Sequence, residues 1–484
     1  MEATDLPAHD LLKDFLTGEG VEVTNPSDLS HLAYVKDCKA DDVRDAIGRA
    51  EAALPDWRDR NVKERADILR AWFEAIMARK EDLARLMTLE QGKVLTESRG
   101  EVEYGASFVE WFGEEAKRIY GDHIPSHDTD KRMVVIKQAV GVVAAITPWN
   151  FPIAMITRKI SPALAAGCTV VVKPAALTPL CALAVMKLAH EAGVPEDAFV
   201  TLTSNDAAAV GEELCKSSTV RKLSFTGSTK VGKILAEQSA STLKKLSMEL
   251  GGNAPFIVFD DADIDAAVEG AIACKFRNAG QTCVCANRVM VQDGIYDEFM
   301  AKFRDAVAAL KVGDGLDDDM EIGPLVEEAA VHKVEELVED ATSKGGKLIG
   351  GGRMEGRDGW FYRPGIIDGA TTDMRLAEEE IFGPIAPVFR FSSDEEAVKI
   401  ANDTAVGLAA YFYSRDIGRI WRVAEALEYG MVGINAPSVS TELAPFGGVK
   451  ESGFGREGSK YGVEEYVEIK ALHFGGIGEA LPRR

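Results

Sequence analysis

The chain has 484 residues, 46% of them hydrophobic and 27% charged, which is the balance of a globular protein long enough for two or three domains. No early apolar run reads as a signal peptide, and no stretch of about 18 uncharged apolar residues could span a bilayer. A formal net charge of -23 opposes a nucleic-acid surface, which needs a concentrated basic face, yet a few arginines in a pocket can still dominate locally for a small anion.

Two helical segments come first. DDVRDAIGRAEAAL (41–54) and ERADILRAWFEAIMARK (64–80) both repeat apolar residues at helical spacing. The texture changes in MVVIKQAVGVVAAITPWNFP (133–152), where β-branched runs predict strands that leave through a sharp Pro/Gly-rich exit. GCTVVVKPA (167–175) is a buried-strand pattern followed by a helix near 178–192. RKLSFTG (221–227) repeats the strand-to-turn pattern, STKVGKILAEQSA (228–240) is helical, and KKLSMELGG and APFIVFD add two strands. From Gly251 the pattern restarts with a strand at 255–259, a helix over about 263–279, a cysteine-bearing loop and a strand at 288–292, which places a domain boundary at Gly251–Gly252. YGVEEYVEIKALHF (461–474) predicts a late strand that either packs against another chain or closes its own domain as an edge hairpin. Strands alternating with helices of this length predict parallel α/β sheets, with ligands at the carboxyl ends of the strands.

The seven cysteines (Cys38, Cys168, Cys181, Cys215, Cys274, Cys283 and Cys285) are odd in number and sparse, which fits a reducing cytoplasm. The histidines (His9, His31, His123, His127, His190, His332 and His473) are distant in sequence from NAGQTCVCANR (278–288), and no HExxH or paired CxxC pattern occurs, so no metal is expected. Cys283 is either an inert buried thiol or a nucleophile. Gly280, Gln281 and Thr282 suit a loop whose N–H groups can hold the oxyanion that thiolate attack on a carbonyl creates. Glu249, in MELGG, is either a base at the domain junction or a terminus in a salt bridge. The Asn150 amide, in PWNFP, can donate a hydrogen bond. FTGSTKVG holds Gly227 and Gly232 before a helix; it matches neither GxGxxG nor a Walker motif, but its strand–turn–helix context suits a phosphate at a helix N-terminus.

Seven motifs in order, PWNFP (148–152), VVKPA (171–175), FTGS (225–228), MELGGNAP (248–255), GQTC (280–283), EEEIFGP (378–384) and PFGG (445–448), resemble the aldehyde dehydrogenase family over almost the full length. The resemblance implies an α/β fold in three parts: a Rossmann-like cofactor domain (1–120 and 140–250), an α/β catalytic domain (251–460), and a small β oligomerisation element (121–139 and 461–484) that supports a homodimer or homotetramer. It implies Cys283 as nucleophile, Glu249 as general base, and Asn150 as oxyanion donor beside the Cys283 N–H. Trp149, Lys173, Ala176, Gly227, Ser228, Glu380 and Phe382 become cofactor-binding positions.

A narrower resemblance, carried by FRNAGQTCVCANR (276–288), MITRKISPALAAG (155–167), EWFGEEAKRIYGD (110–122) and SGFGREGSKYG (452–462), is to succinate-semialdehyde dehydrogenases. It implies Arg158, Arg277 and Ser440 on the substrate carboxylate and Phe151 and Phe446 as tunnel walls. Planar guanidinium groups suit a carboxylate in a desolvated tunnel. It also implies that Cys285 either closes a reversible disulfide with Cys283 or is a bystander; a bridge across one residue is strained and needs the loop to rearrange. NAD-preferring relatives often carry Glu where this chain has Ala176, so loss of that charge favours NADP over NAD, with dual use open. Glutarate semialdehyde, a neutral aldehyde, a CoA-acylating reaction, a metal-dependent hydrolase and a catalytically inactive binding protein are the alternatives to succinate semialdehyde oxidation.

Overall fold

A computed structural model describes residues 5–478. The strands VVAAI (Val142–Ile146) and TVVVK (Thr169–Lys173) have almost no polar side chains because both faces are covered. Their alternate residues divide between two apolar clusters: Val142, Ala144 and Val171 pack with Val43, Ala46 and Ile47 of the helix Ala40–Arg58. Val143, Ala145, Val170 and Val172 face the helices Leu95–Glu115, Ala154–Ala166 and Pro179–Glu191. The period-2 alternation of a strand thus fills two layers at once.

These strands belong to a six-stranded sheet in the order Gly453–Phe454, Lys245–Glu249, Val220–Thr226, Val142–Ile146, Thr169–Lys173, Phe199–Thr201. All pairs are parallel except the one made by Gly453–Phe454, which lies within the stretch expected for the catalytic part and instead extends the first sheet. Because the chain lays down strands first on one side of Val142–Ile146 and then on the other, a crevice opens at the carboxyl ends of Val142–Ile146 and Val220–Thr226.

Lys245–Glu249 runs through Gly251 and Gly252 into Ala254–Val258, a central strand of a seven-stranded sheet. Its order is Lys347–Arg353, Tyr362–Asp368, Ile385–Phe391, Ala286–Gln292, Ala254–Val258, Ala409–Tyr413, Met431–Ile434, with only Lys347–Arg353 antiparallel. The join is tight: a Cβ on Gly252 would stand 2.4 Å from the Cys283 carbonyl oxygen. A third sheet joins Asp122–Ile124, Arg132–Ala139 and Val467–Phe474, all antiparallel.

Three local expectations change. The helix anticipated to about 279 stops at Phe276, because Asn278, Ala279 and Gly280 take φ of 52°, 54° and 75°. The late strand begins only at Val467, after a short helix, Ser459–Glu464. The N-terminal part, read as helical, also carries a small antiparallel sheet of Leu16–Thr17, Val21–Thr24 and His31–Val35. Among the described residues no helix is long and apolar enough to cross a membrane.

Candidate active site

Cys283 lies between the helix Ile264–Phe276 and the strand Ala286–Gln292, where the carboxyl edge of the first sheet meets the starting edge of the second. It lines two cavities. The larger, about 370 Å³, is also bordered by Trp149, Asn150, Gly227, Ser228, Glu249, Glu380 and Phe382. The smaller, about 60 Å³, is bordered by Phe151, Arg158, Arg277, Ser440 and Phe446, together with Tyr104, Met155 and Val284. Apart from Lys173 and Ala176, the side chains expected on the cofactor and those expected on the substrate therefore separate onto two sides of one thiol.

The loop before Cys283 is held from several directions. Three successive left-handed residues are costly where two are not glycine. Gly280 is required sterically as well, since a Cβ there would stand 2.3 Å from the Gly383 carbonyl oxygen. Asn278 N–H donates to Glu97 Oε1 at 2.9 Å, its Nδ2 donates to the Asn150 carbonyl at 3.0 Å, and its Oδ1 accepts from Gln91 Nε2 at 3.0 Å. Gln281 Oε1 accepts the Val326 N–H at 3.0 Å. Asn150 Nδ2 donates to the Gln281 carbonyl at 3.0 Å, leaving the second amide hydrogen free for a ligand.

A buried ion pair supports both walls. Lys93, paired with Glu101, donates to the Asn150 carbonyl at 2.7 Å and places its ammonium 4.1 Å from the Phe151 ring centroid. Glu101 accepts the N–H groups of Ile153 and Ala154 at 3.0 and 3.2 Å, capping the helix that carries Arg158. The Arg158 guanidinium lies 4.0 Å over Phe446 and pairs with buried Glu457, which also takes Lys159. Arg277 lies 5.4 Å over Phe151.

Burial pushes the Cys283 thiol up to about 12, with Arg158 opposing and Glu380 and Glu249 adding to the rise. Both Glu249 carboxylate oxygens are buried without a hydrogen-bond partner. Burial, and then the charge of Glu457, hold Glu249 well above the ordinary carboxylate range against the pull of Arg158 and Lys159. Burial alone would raise Glu457 too, but Arg158 and Lys159 prevail and hold it below its ordinary value. Burial brings Glu380 to about 7, although its Oε1 accepts the Gly252 N–H at 3.3 Å.

The larger cavity meets a helix N-terminus, which suits a cofactor phosphate. Ser228 caps the helix Thr229–Ser239, and Gly227 has no room for a Cβ, which would stand 2.5 Å from the Phe225 ring. Thr226 Oγ1 is buried without a partner, and the Trp149 and Phe382 rings meet edge-to-face at 5.5 Å. Three of the singled-out residues stand outside both linings. Lys173, at the end of its strand, donates to the Pro174 carbonyl at 3.1 Å, with Ala176 half-buried in the following turn. Cys285 is buried with its Sγ 3.3 Å from the Lys275 carbonyl oxygen, on the side of the helix Ile264–Phe276. Among the described residues no three His, Cys, Asp or Glu side chains are grouped to hold a metal ion.

Residue patterns missed Lys93, Glu101, Tyr104, Lys159 and Glu457. Two adjacent basic residues inside the apolar segment MITRKISPALAAG were a usable signal for Lys159 beside Arg158. Tyr104 carried none, since its spacing to Phe108 looks like ordinary core packing.

The family model for the aldehyde dehydrogenase family matches residues 15–472. The chain is 59% identical over 462 residues to the NADP(+) succinate-semialdehyde dehydrogenase GabD of Escherichia coli (strain K12), covering 96% of each chain. It is 56% identical over 460 residues to a glutarate-semialdehyde dehydrogenase of Pseudomonas aeruginosa, covering 95% of each. A crystal structure of an E. coli NADP dependent enzyme superposes with a TM-score of 0.93 at 59% identity, covering 95% of each chain. With a thiol shared by a larger cavity and a small arginine-lined one, and with these relatives along nearly all of its length, the chain belongs to the aldehyde dehydrogenase family and is an NAD(P)-dependent aldehyde dehydrogenase.

Proposed function

We propose that the protein oxidises succinate semialdehyde to succinate. The observation that carries this reading is the convergence of Arg158 and Arg277 on a small cavity that opens onto Cys283, with Arg158 Nη2 buried and unpartnered. A short aldehyde with an acid at its far end satisfies that donor while its aldehyde carbon reaches the thiol. The second reading is glutarate semialdehyde, favoured by the 56% identity to an enzyme of that name, against 59% for the succinate-semialdehyde relative. One methylene is worth only about 1–3 kcal/mol in a pocket, so the two substrates are close competitors.

Trp149, Lys173, Gly227, Ser228, Glu380 and Phe382 would hold the cofactor. The Ala176 methyl sets no carboxylate against a 2′-phosphate, which favours NADP over NAD, in keeping with the named cofactor of the E. coli relative. When bound, the nicotinamide supplies the acceptor for the hydride that leaves the aldehyde carbon. The chain's own residues do the rest. Cys283 Sγ attacks the aldehyde carbon, and the oxygen that gains charge is held by the free hydrogen of Asn150 Nδ2 and by the Cys283 N–H. Glu249, with both oxygens unpartnered in the same cavity, takes the thiol proton, releases it to solvent, and then as a carboxylate activates the water that hydrolyses the Cys283 thioester. The third sheet leaves the strand Val467–Phe474 as an edge, and the reading extends to a homodimer or homotetramer formed along it.

The test is kcat/KM for succinate semialdehyde, glutarate semialdehyde and butanal, each with NAD and NADP, in the wild type and in Arg277→Ala. The acids are expected to lead, with Arg277→Ala losing about 100-fold on them and little on butanal, because a hydrogen bond to a charged group is worth about 1.5–3 kcal/mol. Butanal turned over as well as the acids would sink the acid-substrate reading.

A further inference from the structure

Tyr104 belongs to none of the motifs above. It lies midway along the helix Leu95–Glu115, where its ring meets Phe108 edge-on with centroids 5.0 Å apart at 73°. The next residue explains its position. A Cβ on Gly105 would stand 2.8 Å from Ile153 Cγ2, 3.2 Å from Thr157 Oγ1 and 3.3 Å from Ala154 Cα. Without that Cβ the helix lies directly against Ala154–Ala166, and Tyr104 reaches the wall of the smaller cavity beside Arg158 and Ser440. The Tyr104 hydroxyl and Arg158 Nη2, both buried on this cavity, make no well-formed hydrogen bond, although Arg158 and Ser440 lie near enough to the hydroxyl to oppose the rise of its pKa. Buried polar groups are nearly always paired, because an unpaired one keeps the full cost of leaving water. Two donors on one cavity, neither with a well-formed bond, point to a ligand that brings better acceptors. Glu457 does not fill that role, since it sits on the Nε side of Arg158 and is already engaged by Lys159.

We propose that Tyr104 is a substrate-contacting residue: its hydroxyl donates to the terminal acid of the semialdehyde beside Arg158, and so helps to select acid-bearing aldehydes over neutral ones. The proposal rests on the acid-substrate reading above and names a group that reading lacks. A phenol suits the task because it is a directional donor that adds no second buried charge. Burial, opposed by Arg158, raises the Tyr104 pKa above its ordinary value, so the hydroxyl keeps its proton throughout the working range. An acid pairs with both donors, whereas a neutral aldehyde leaves both unpaired, and sites of this kind discriminate strongly.

Tyr104→Phe keeps the ring and its contact with Phe108. The experiment measures kcat/KM and KM for succinate semialdehyde and butanal, and inhibition by succinate, in the wild type and in this variant. The expected result is a loss of about 10- to 100-fold on the acid, carried mainly by KM, with succinate inhibition weakened in parallel and butanal turnover unchanged or improved. Equal losses on both aldehydes would mean that Tyr104 acts only in packing, and unchanged kinetics on both would mean that the hydroxyl touches no substrate; either overturns the proposal. A wild-type preference for the acid that Tyr104→Phe leaves undiminished overturns the Tyr104 role alone. A wild type with no such preference overturns the acid-substrate reading and the Tyr104 role together.

Discussion

Cys283 and Glu249 are both acids whose charged forms are opposed by burial, and they share one cavity. The thiol therefore rests protonated and needs a proton acceptor at the moment of attack. In its proposed role as that acceptor Glu249 must be ionised, and burial holds its pKa well above the ordinary carboxylate value. The sign follows directly: the fraction of enzyme with a competent base grows as pH rises through the raised value and shrinks as pH falls. We expect kcat/KM to climb with pH well above the ordinary carboxylate range, and Glu249→Gln to remove that ascending limb while lowering kcat by about 10²- to 10⁴-fold. Parallel pH–rate profiles of the two proteins check this; an ascending limb that persists in Glu249→Gln would assign it to another group. Cys283, Glu249 and Asn150 were legible as residue types in short motifs. Their pairing across one cavity was not, since Glu249 ends a strand of one sheet and Cys283 precedes a strand of the other.

At the scale of the element, the buried pair of Lys93 and Glu101 holds three things at once: the Asn150 carbonyl, the Phe151 ring and the N-terminus of the helix bearing Arg158. Removing one partner of such a pair strands the other in a low-dielectric interior, at a cost of about 3–5 kcal/mol. Lys93→Met is expected to lose stability on that scale, and the double variant Lys93→Met, Glu101→Gln to recover part of it while kcat stays low, because Asn150 and Phe151 still lack their support. Chemical denaturation and steady-state kinetics on the two variants measure this; full recovery of kcat in the double variant would reduce the pair to a structural role. The same elements show why helix ends resist sequence reading. Periodicity carried the helix from 263 on to about 279, and nothing local in KFRNAG forbids it. The stop at Phe276 comes from Glu97, Gln91 and Asn150, which bind Asn278 from far along the chain.

Across the whole molecule, the exposed edge of the third sheet stands out. Ile469 is 72% exposed and Phe474 49% exposed on Val467–Phe474, a strand that has a neighbour on only one side. An edge with open backbone groups and apolar side chains is a template for pairing with another chain. Sedimentation equilibrium is expected to show a dimer or tetramer, and Ile469→Asp to shift it toward monomer; a monomeric wild type would contradict the proposed assembly. The charge of -23 bears on solubility rather than on the site, where Arg158 and Arg277 line the smaller cavity.

The sequence by itself determined the alternation of strands and helices, the family, and the residue types of the reaction, because these depend on short-range patterning and on motifs a few residues long. Only the tertiary structure decided which side chains share a cavity, that Arg158 is clamped by Glu457 from another part of the chain, and that the loop before Cys283 turns left-handed. It also decided that Gly105 brings Tyr104 to the wall of the smaller cavity. Each of these is a contact between residues distant in sequence, set by the close packing of helices and sheets rather than by any local preference.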